Sequence, residues 1–206
     1  MEVKHFNILA SVFLFFTIIG YLFLDKSIAL YFLHNFSDAN ITHFSHKLAS
    51  WTSSKKICFL GLLICAITFI QLLKNKINLT HPLVRISAIY ALSITVVFVI
   101  KGVIARYRPE LYFSDDLYGF HFFSAKHAFT SMPSGHAITA FTLLLIPGMF
   151  LWCKNKLLSI IFIFCALFLA FSRILTTDHY FSDVMFSFAI ASYVAGYIFS
   201  KVPTQE

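Results

Sequence analysis

Charge is what this chain has least of. Asp, Glu, Lys and Arg make up 12% of its 206 residues, about half the ~25% of an ordinary soluble domain. With a mean hydropathy of +0.80, that excludes a solvated globular domain. Acidic residues are scarcer than basic ones, 9 against 16, for a formal charge of +7. The basic residues stand at the edges of apolar runs rather than on a polar face. This argues against nucleic acid as a partner and for anionic lipid headgroups. Cysteine is rare too: Cys58, Cys65, Cys153 and Cys165 lie in or beside apolar runs, with no C-x-x-C spacing. That pattern favours four buried small apolar side chains over a disulfide framework or a metal site. No A-x-A-like cleavage site follows the first apolar run, so the run is expected to be an uncleaved span. Internal repeats and low-complexity linkers are missing as well.

What is present is a series of six apolar runs, near residues 6–24, 57–73, 83–100, 137–153, 157–172 and 184–200. Each approaches the ~20 residues that a spanning helix needs. The expected fold is all-α: a polytopic membrane protein, one domain over residues 1–206, with six transmembrane helices in a bundle and a site at the membrane interface. Asp25 and Lys26 close the first run. Phe44, Leu48 and Trp51 recur at helical spacing and predict a short interfacial helix. Residues 110–131 read as a loop dense in aromatics, with interfacial packing as its expected role and a lid over the site as the sharper one.

Three polar clusters sit at span ends: Lys101 to Pro109, Ser131 to His136, and Ser172 to Asp183. With six spans, parity puts all three on one side of the membrane. The short loops carrying Lys74 with Lys76 and Lys154 with Lys156 fall on the other side, with both termini. The positive-inside rule then places the termini in the cytoplasm and the clusters outside.

Each cluster has a chemical reading. Lys101 and Arg108 are seven residues apart, nearly two helical turns, and would point along one face as a two-cation phosphate clamp. Arg106 points elsewhere on that helix and ranks lower. Pro109 would stop the helix. Alone, this cluster reads better as a juxtamembrane basic cluster gripping lipid headgroups. Ser134 is a candidate N-cap, Gly135 lets an anion approach the backbone, and the helix start favours negative charge. His136 would stand at the rim, able to give or take a proton. His179 and Asp183 are one helical turn apart. A carboxylate there can accept the Nδ1–H and leave Nε2 as a nucleophile. Arg173 ends the fifth span. A cation, a histidine and a carboxylate bordering apolar spans are costly to place without function.

Taken together, Lys101-x6-Arg108-Pro109, Pro133-Ser134-Gly135-His136 and Ser172-Arg173-x5-His179-x3-Asp183 resemble the three-part signature of the type 2 phosphatidic acid phosphatase superfamily of membrane lipid phosphatases. Every signature position matches. The first hundred residues match only as spans. The resemblance implies that His179 attacks phosphorus to form a phosphohistidine and that Asp183 orients it. His136 would protonate the leaving oxygen. Lys101, Arg108, Arg173, Ser134 and Gly135 would hold the phosphoryl oxygens. No metal and no cofactor are implied. Where the chain departs from many relatives, at Thr177-Asp178 and Val184-Met185-Phe186, the departure is not expected to touch the chemistry.

The expected partner is a phospholipid or isoprenoid-phosphate substrate in a bacterial inner membrane, with the site facing the periplasm. Undecaprenyl diphosphate stands first, lipid A close behind, then phosphatidylglycerol phosphate and phosphatidate. The competing class is a non-catalytic lipid-binding or transport protein that has kept the fold. Its expected mark is a broken catalytic set. A vanadate-dependent haloperoxidase built on the same residues fits poorly, because those relatives resemble soluble enzymes.

Overall fold

The computed structural model describes residues 3–35 and 54–202. Over them the chain is helical, as expected, with a lone antiparallel bridge between Arg106 and Phe120 among the described residues. Among the described residues the α-helices are α1 (Val3–Asn35), α2 (Ser54–Leu73), α3 (Pro82–Ile104), α4 (Pro109–Asp115), α5 (Gly135–Leu151), α6 (Lys156–Leu175) and α7 (Phe181–Lys201). Among the described residues, α1, α3, α6 and α7 are long and apolar enough to cross a membrane. The apolar part of α2, Cys58–Leu73, and α5 are shorter. Phe59, Phe98, Leu157 and Phe164 stand exposed on the outside, as suits a surface that meets lipid rather than water.

α7 is the central post, and α1 runs antiparallel along it. Phe6 stacks on Phe199 at 5.3 Å between ring centroids, and Phe13 meets Phe188 edge-on at 5.3 Å. Two glycines let the backbones close in. A Cβ on Gly20 would lie 2.8 Å from Phe181 Cδ1, and one on Gly196 would lie 2.8 Å from Asn7 Oδ1. In lipid, where tails are as apolar as side chains, such small residues are what make tight helix packing favourable. Ile138 and Phe141 of α5 complete the core with Val184, Phe188 and Ala191 of α7. The end of α3, the start of α5, the end of α6 and the start of α7 lie at one end of the bundle. Arg85 lies at the other, its guanidinium 5.6 Å from the Phe199 ring.

Several boundaries differ from the sequence reading, each for a local reason. Asp25 does not end the first helix. A wide π turn, Gly20–Leu24, leads into it and the helix continues to Asn35. Asp25 is 1% exposed, because its charge is answered inside the protein rather than by water. α3 stops at Ile104, where Ala105 turns left-handed at φ 46°. The N–H groups of Phe122, Phe123 and Ser124 donate to the carbonyls of Ile104, Val103 and Gly102. The last-turn carbonyls are thus satisfied without more helix. Lys101 and Arg108 therefore do not share a helix face, and Pro109 opens α4 instead of closing α3. The expected loop at 110–131 begins inside that helix. The interfacial helix expected around Phe44, Leu48 and Trp51 lies outside the described residues. All four cysteines are free, but Cys58 and Cys65 are half-buried and Cys153 and Cys165 are exposed, Cys153 in the turn between α5 and α6.

The α1–α7 contact gives the first expected outcome. Gly196→Leu forces side-chain bulk into Asn7 and should cost about 1–3 kcal/mol, the usual range for overpacking. Thermal unfolding in detergent would read this as a lower midpoint. An unchanged midpoint would mean that the close approach does not hold the two helices.

Candidate active site

The segment between α3 and α4 is extended and pinned from both sides. Tyr107 N–H donates to Gly119 O (3.1 Å), Arg108 N–H to Ala128 O (3.0 Å), and Ser131 N–H to Arg106 O (3.1 Å). This clasp aims Arg106 inward and Arg108 towards α6. It also brings Thr130 and Ser131 to the middle of the polar end, where they join the three clusters. Lys101 Nζ donates to Thr130 O at 2.5 Å. Ser131 Oγ donates to Asp183 Oδ2 at 2.6 Å, and Ser131 O receives His179 Nδ1–H at 2.7 Å.

That last contact selects the tautomer of His179. A carbonyl oxygen can only accept, so Nδ1 carries a hydrogen, and in the neutral ring Nε2 keeps its lone pair. The i, i+4 spacing alone assigns this role to Asp183. In the structure Asp183 Oδ2 lies 3.7 Å from Nδ1, close enough for attraction but beyond a hydrogen bond. That oxygen is taken by Ser131 and by Tyr180 N–H at 2.8 Å. His179 is 5% exposed. Burial, with the positive charges of Arg108 and Lys101, holds its imidazole neutral below the ordinary histidine value against the pull of Asp183.

Ser134 caps α5 as expected, its Oγ accepting Ala137 N–H at 3.4 Å. Its own N–H donates to Ser187 Oγ at 2.8 Å. Gly135 and His136 begin α5 and line a cavity of about 170 Å³ with Lys101, backed by Ile94, Val97 and Phe98 of α3. Arg108 Nε donates to His127 O at 2.9 Å, and its Nη1 to Asp178 O at 3.0 Å. Lys101 and Arg108 thus rest on carbonyls, and neither is in an ion pair among the described residues. Burial lowers the Arg108 pKa. Arg108 in turn is the main cause of the lowered pKa of His127, ahead of burial.

Arg173 is held differently. Its Nη2 pairs with Asp178 Oδ2, which also accepts from Thr176 Oγ1 at 2.5 Å. Burial works against the Asp178 charge, but Arg173 and the Thr176 hydroxyl more than offset it and lower the carboxyl pKa. The departure from the family pattern at Thr177-Asp178 therefore does reach the site. Asp178 carries a side-chain charge on one signature arginine and a backbone acceptor for another.

The largest feature missed by the sequence reading is Arg106. It is fully buried. Nη1 donates to Asp183 Oδ1 and to Ser182 Oγ, both at 2.6 Å, and Nη2 to Asp25 Oδ2 at 2.7 Å. Rings of Tyr21, Tyr118, Phe120 and Tyr180 lie 4.5–5.8 Å from the guanidinium carbon. Burial disfavours its charge, yet Asp183 and Asp25 outweigh that and raise its pKa. Asp25 also accepts Ser182 N–H at 2.9 Å and pairs with the Ser182 hydroxyl. The sequence signal that could have found this pair is a cation and a carboxylate at the edges of apolar runs, without a partner nearby in sequence.

Residues 82–206, more than half of the chain, match the PAP2 superfamily. The chain belongs to that superfamily of metal-independent phosphatases, and it is an integral membrane protein. It is similar to a lipid A 1-phosphatase of Rhizobium johnstonii, with 32% identity over 97 residues. That alignment covers 46% of this chain and 37% of the relative, so the chain spans little more than a third of the relative's length. No solved structure matches the chain.

The depressed pKa values of His179 and His127 have a consequence for stability. A histidine held neutral in the fold binds its proton more readily once unfolded, so acid favours the unfolded chain. This loss is absent above the ordinary histidine value, about 6.5, and grows as pH falls below it. The apparent melting midpoint in detergent should fall between about pH 6.5 and 4.5, and less steeply in His179→Asn. Parallel profiles would mean that His179 is not held neutral.

Proposed function

We propose that this protein is a lipid phosphatase acting through a phosphohistidine at His179, and that its substrate is a lipid A-type glycolipid phosphate. The observation that carries the reading is the combination at one end of the bundle. A buried imidazole is fixed with Nε2 free, and two cations, Lys101 and Arg108, rest on carbonyls and form no ion pair among the described residues. A dianionic phosphate supplies the missing negative charge.

In this reading Nε2 of His179 attacks phosphorus while the leaving lipid oxygen takes a proton from His136. The P–O bond breaks as the N–P bond forms. Water activated by His136 then releases inorganic phosphate and restores the imidazole. Charge developing on the equatorial oxygens is met by Lys101, Arg108, Arg173 and the Gly135 N–H, with Ser134 capping that helix start. Fixed donors aimed at developing charge, in a site that holds little water, contribute more to most such reactions than any other single effect. Asp183 stabilises the imidazole as it gains positive character. A phosphate must share Arg173 with Asp178, which already holds it.

The apolar wall of the Lys101–Gly135–His136 cavity, formed by Ile94, Val97 and Phe98, suits the first carbons of a lipid tail beside its phosphate. We read α2 and α5 as membrane spans too, which makes six, with both termini cytoplasmic and the site on the outer face of a bacterial inner membrane. The similarity to a lipid A 1-phosphatase moves lipid A ahead of undecaprenyl diphosphate among the substrates expected from the sequence. Phosphatidylglycerol phosphate and phosphatidate follow. A non-catalytic lipid-binding protein is disfavoured by the intact set of signature residues.

Purified protein in detergent, with EDTA present, should release phosphate fastest from lipid A in a panel with undecaprenyl diphosphate, phosphatidylglycerol phosphate and phosphatidate. His179→Ala should reduce release at least ~1,000-fold, as expected for loss of a nucleophile. Faster release from undecaprenyl diphosphate would replace the substrate but not the chemistry. Undiminished release by His179→Ala would remove the mechanism.

A further inference from the structure

The family match begins at residue 82, yet a buried cation at the active site, Arg106, is paired with residue 25. Nothing in the proposed phosphoryl transfer uses Arg106 or Asp25. Both are sealed from solvent, so neither can touch a substrate. A guanidinium set this deep needs a reason, because a buried ion set gains little stability over an apolar core of the same shape.

The geometry supplies one. Asp183 has two oxygens. Oδ1 is taken by Arg106 Nη1, and this leaves Oδ2 to Ser131, to the Tyr180 N–H, and to the approach towards His179. The backbone carbonyl of Arg106 receives the Ser131 N–H, and the carbonyl of Ser131 holds His179 Nδ1–H. One residue therefore sets both partners of the imidazole, the carboxylate through its side chain and the carbonyl through its main chain. Asp25 sits on the far side of the guanidinium. It stops the guanidinium from pivoting and ties Ser182, the residue before Asp183, by its N–H.

We propose that Arg106 and Asp25 are positioning residues for the nucleophile: α1 reaches across the bundle to hold Arg106, which fixes Asp183 and Ser131 against His179. The active site then extends beyond the family-matched segment to the N-terminal helix. The role assigned to His179 rests on the proposed function. The coupling of Arg106 to the His179 imidazole does not, and it can be measured without turnover.

The charged groups facing His179 are Lys101 on α3, Arg108 before α4, Asp178 beside it and Asp183 on α7. Replacing Arg106 by Gln removes a buried positive charge behind Asp183 and leaves these four in place. The carboxylate is then less neutralised, and His179 should become easier to protonate.

The test has two arms, on full-length protein in detergent. In the first, ring-labelled histidine is titrated by NMR, with His179 assigned from His179→Asn. Arg106→Gln should raise the His179 midpoint by about one unit or more, while Gly196→Leu leaves it where it is. In the second arm, kinetics on the fastest lipid should give kcat reduced at least ~30-fold in Arg106→Gln, with KM within about threefold, the split expected of a group that binds no substrate. Arg106→Lys should recover part of the loss. Asp25→Asn, which keeps the shape of the side chain and one acceptor oxygen for the Ser182 N–H, serves where Arg106→Gln does not fold. It should lower kcat about tenfold, again without raising KM. An unchanged His179 titration in Arg106→Gln overturns the proposal. So does activity per folded molecule equal to wild type in both variants. If the wild type releases no phosphate from any lipid, the phosphatase reading fails, and the titration arm still decides the positioning.

Discussion

The structure depends on one buried cation answered from two directions. Arg106 lies between Asp25 of α1 and Asp183 of α7, inside a box of four aromatic rings. The two carboxylates come from segments 81 and 77 residues away in sequence. Removing one member of such a set leaves an uncompensated buried charge and costs about 3–5 kcal/mol. The long first helix, the left-handed turn at Ala105 and the fold-back of residues 117–131 all serve this geometry. Lys26 adds to it from the next position in α1, its ammonium 4.8 Å from the centre of the Tyr118 ring.

Around that fixed centre, charge is distributed unequally. Arg106 is paired with two carboxylates, and Arg173 has Asp178. Lys101 and Arg108 donate to backbone carbonyls and form no ion pair among the described residues. Satisfied hydrogen bonds hold these two in position, while their net charge remains for a ligand. The same division governs the histidines. The carbonyl of Ser131 orients His179 without neutralising anything, and His136 opens onto the small cavity beside Lys101. A site that binds a dianion needs cations that are held in place without being quenched, and main-chain acceptors provide this.

Much of this is legible in the sequence, because membrane proteins make polar residues conspicuous. The six apolar runs coincide with helices, and parity brings the three clusters to one end. Ser134 caps its helix, and His179, which precedes α7 instead of sharing a helical turn with Asp183, comes within 3.7 Å of it. What is not legible involves departures from regular helix. An alanine at positive φ is unusual, and nothing in Gly102-Val103-Ile104-Ala105 announces that the helix stops there. Continued helix would point Arg106 away from the site, and the real backbone turns it inward. Asp25 looks like a span end because charges usually are, and its partner lies 81 residues on. The hold on His179 is invisible for another reason. It is a main-chain carbonyl, which carries no side-chain signal. Asp178 has the look of a silent departure from the family pattern, and it is the charge partner of Arg173.

The central claim is that Nε2 of His179 carries the phosphoryl group between lipid and water. The most direct measurement is to mix the enzyme with phosphate-labelled lipid, quench within milliseconds under alkaline conditions and map the label by mass spectrometry. The account predicts an acid-labile, base-stable phosphoryl group on His179, formed in the first turnover and absent from His179→Asn. Label on any other residue, or turnover with none on His179 at any quench time, would contradict it.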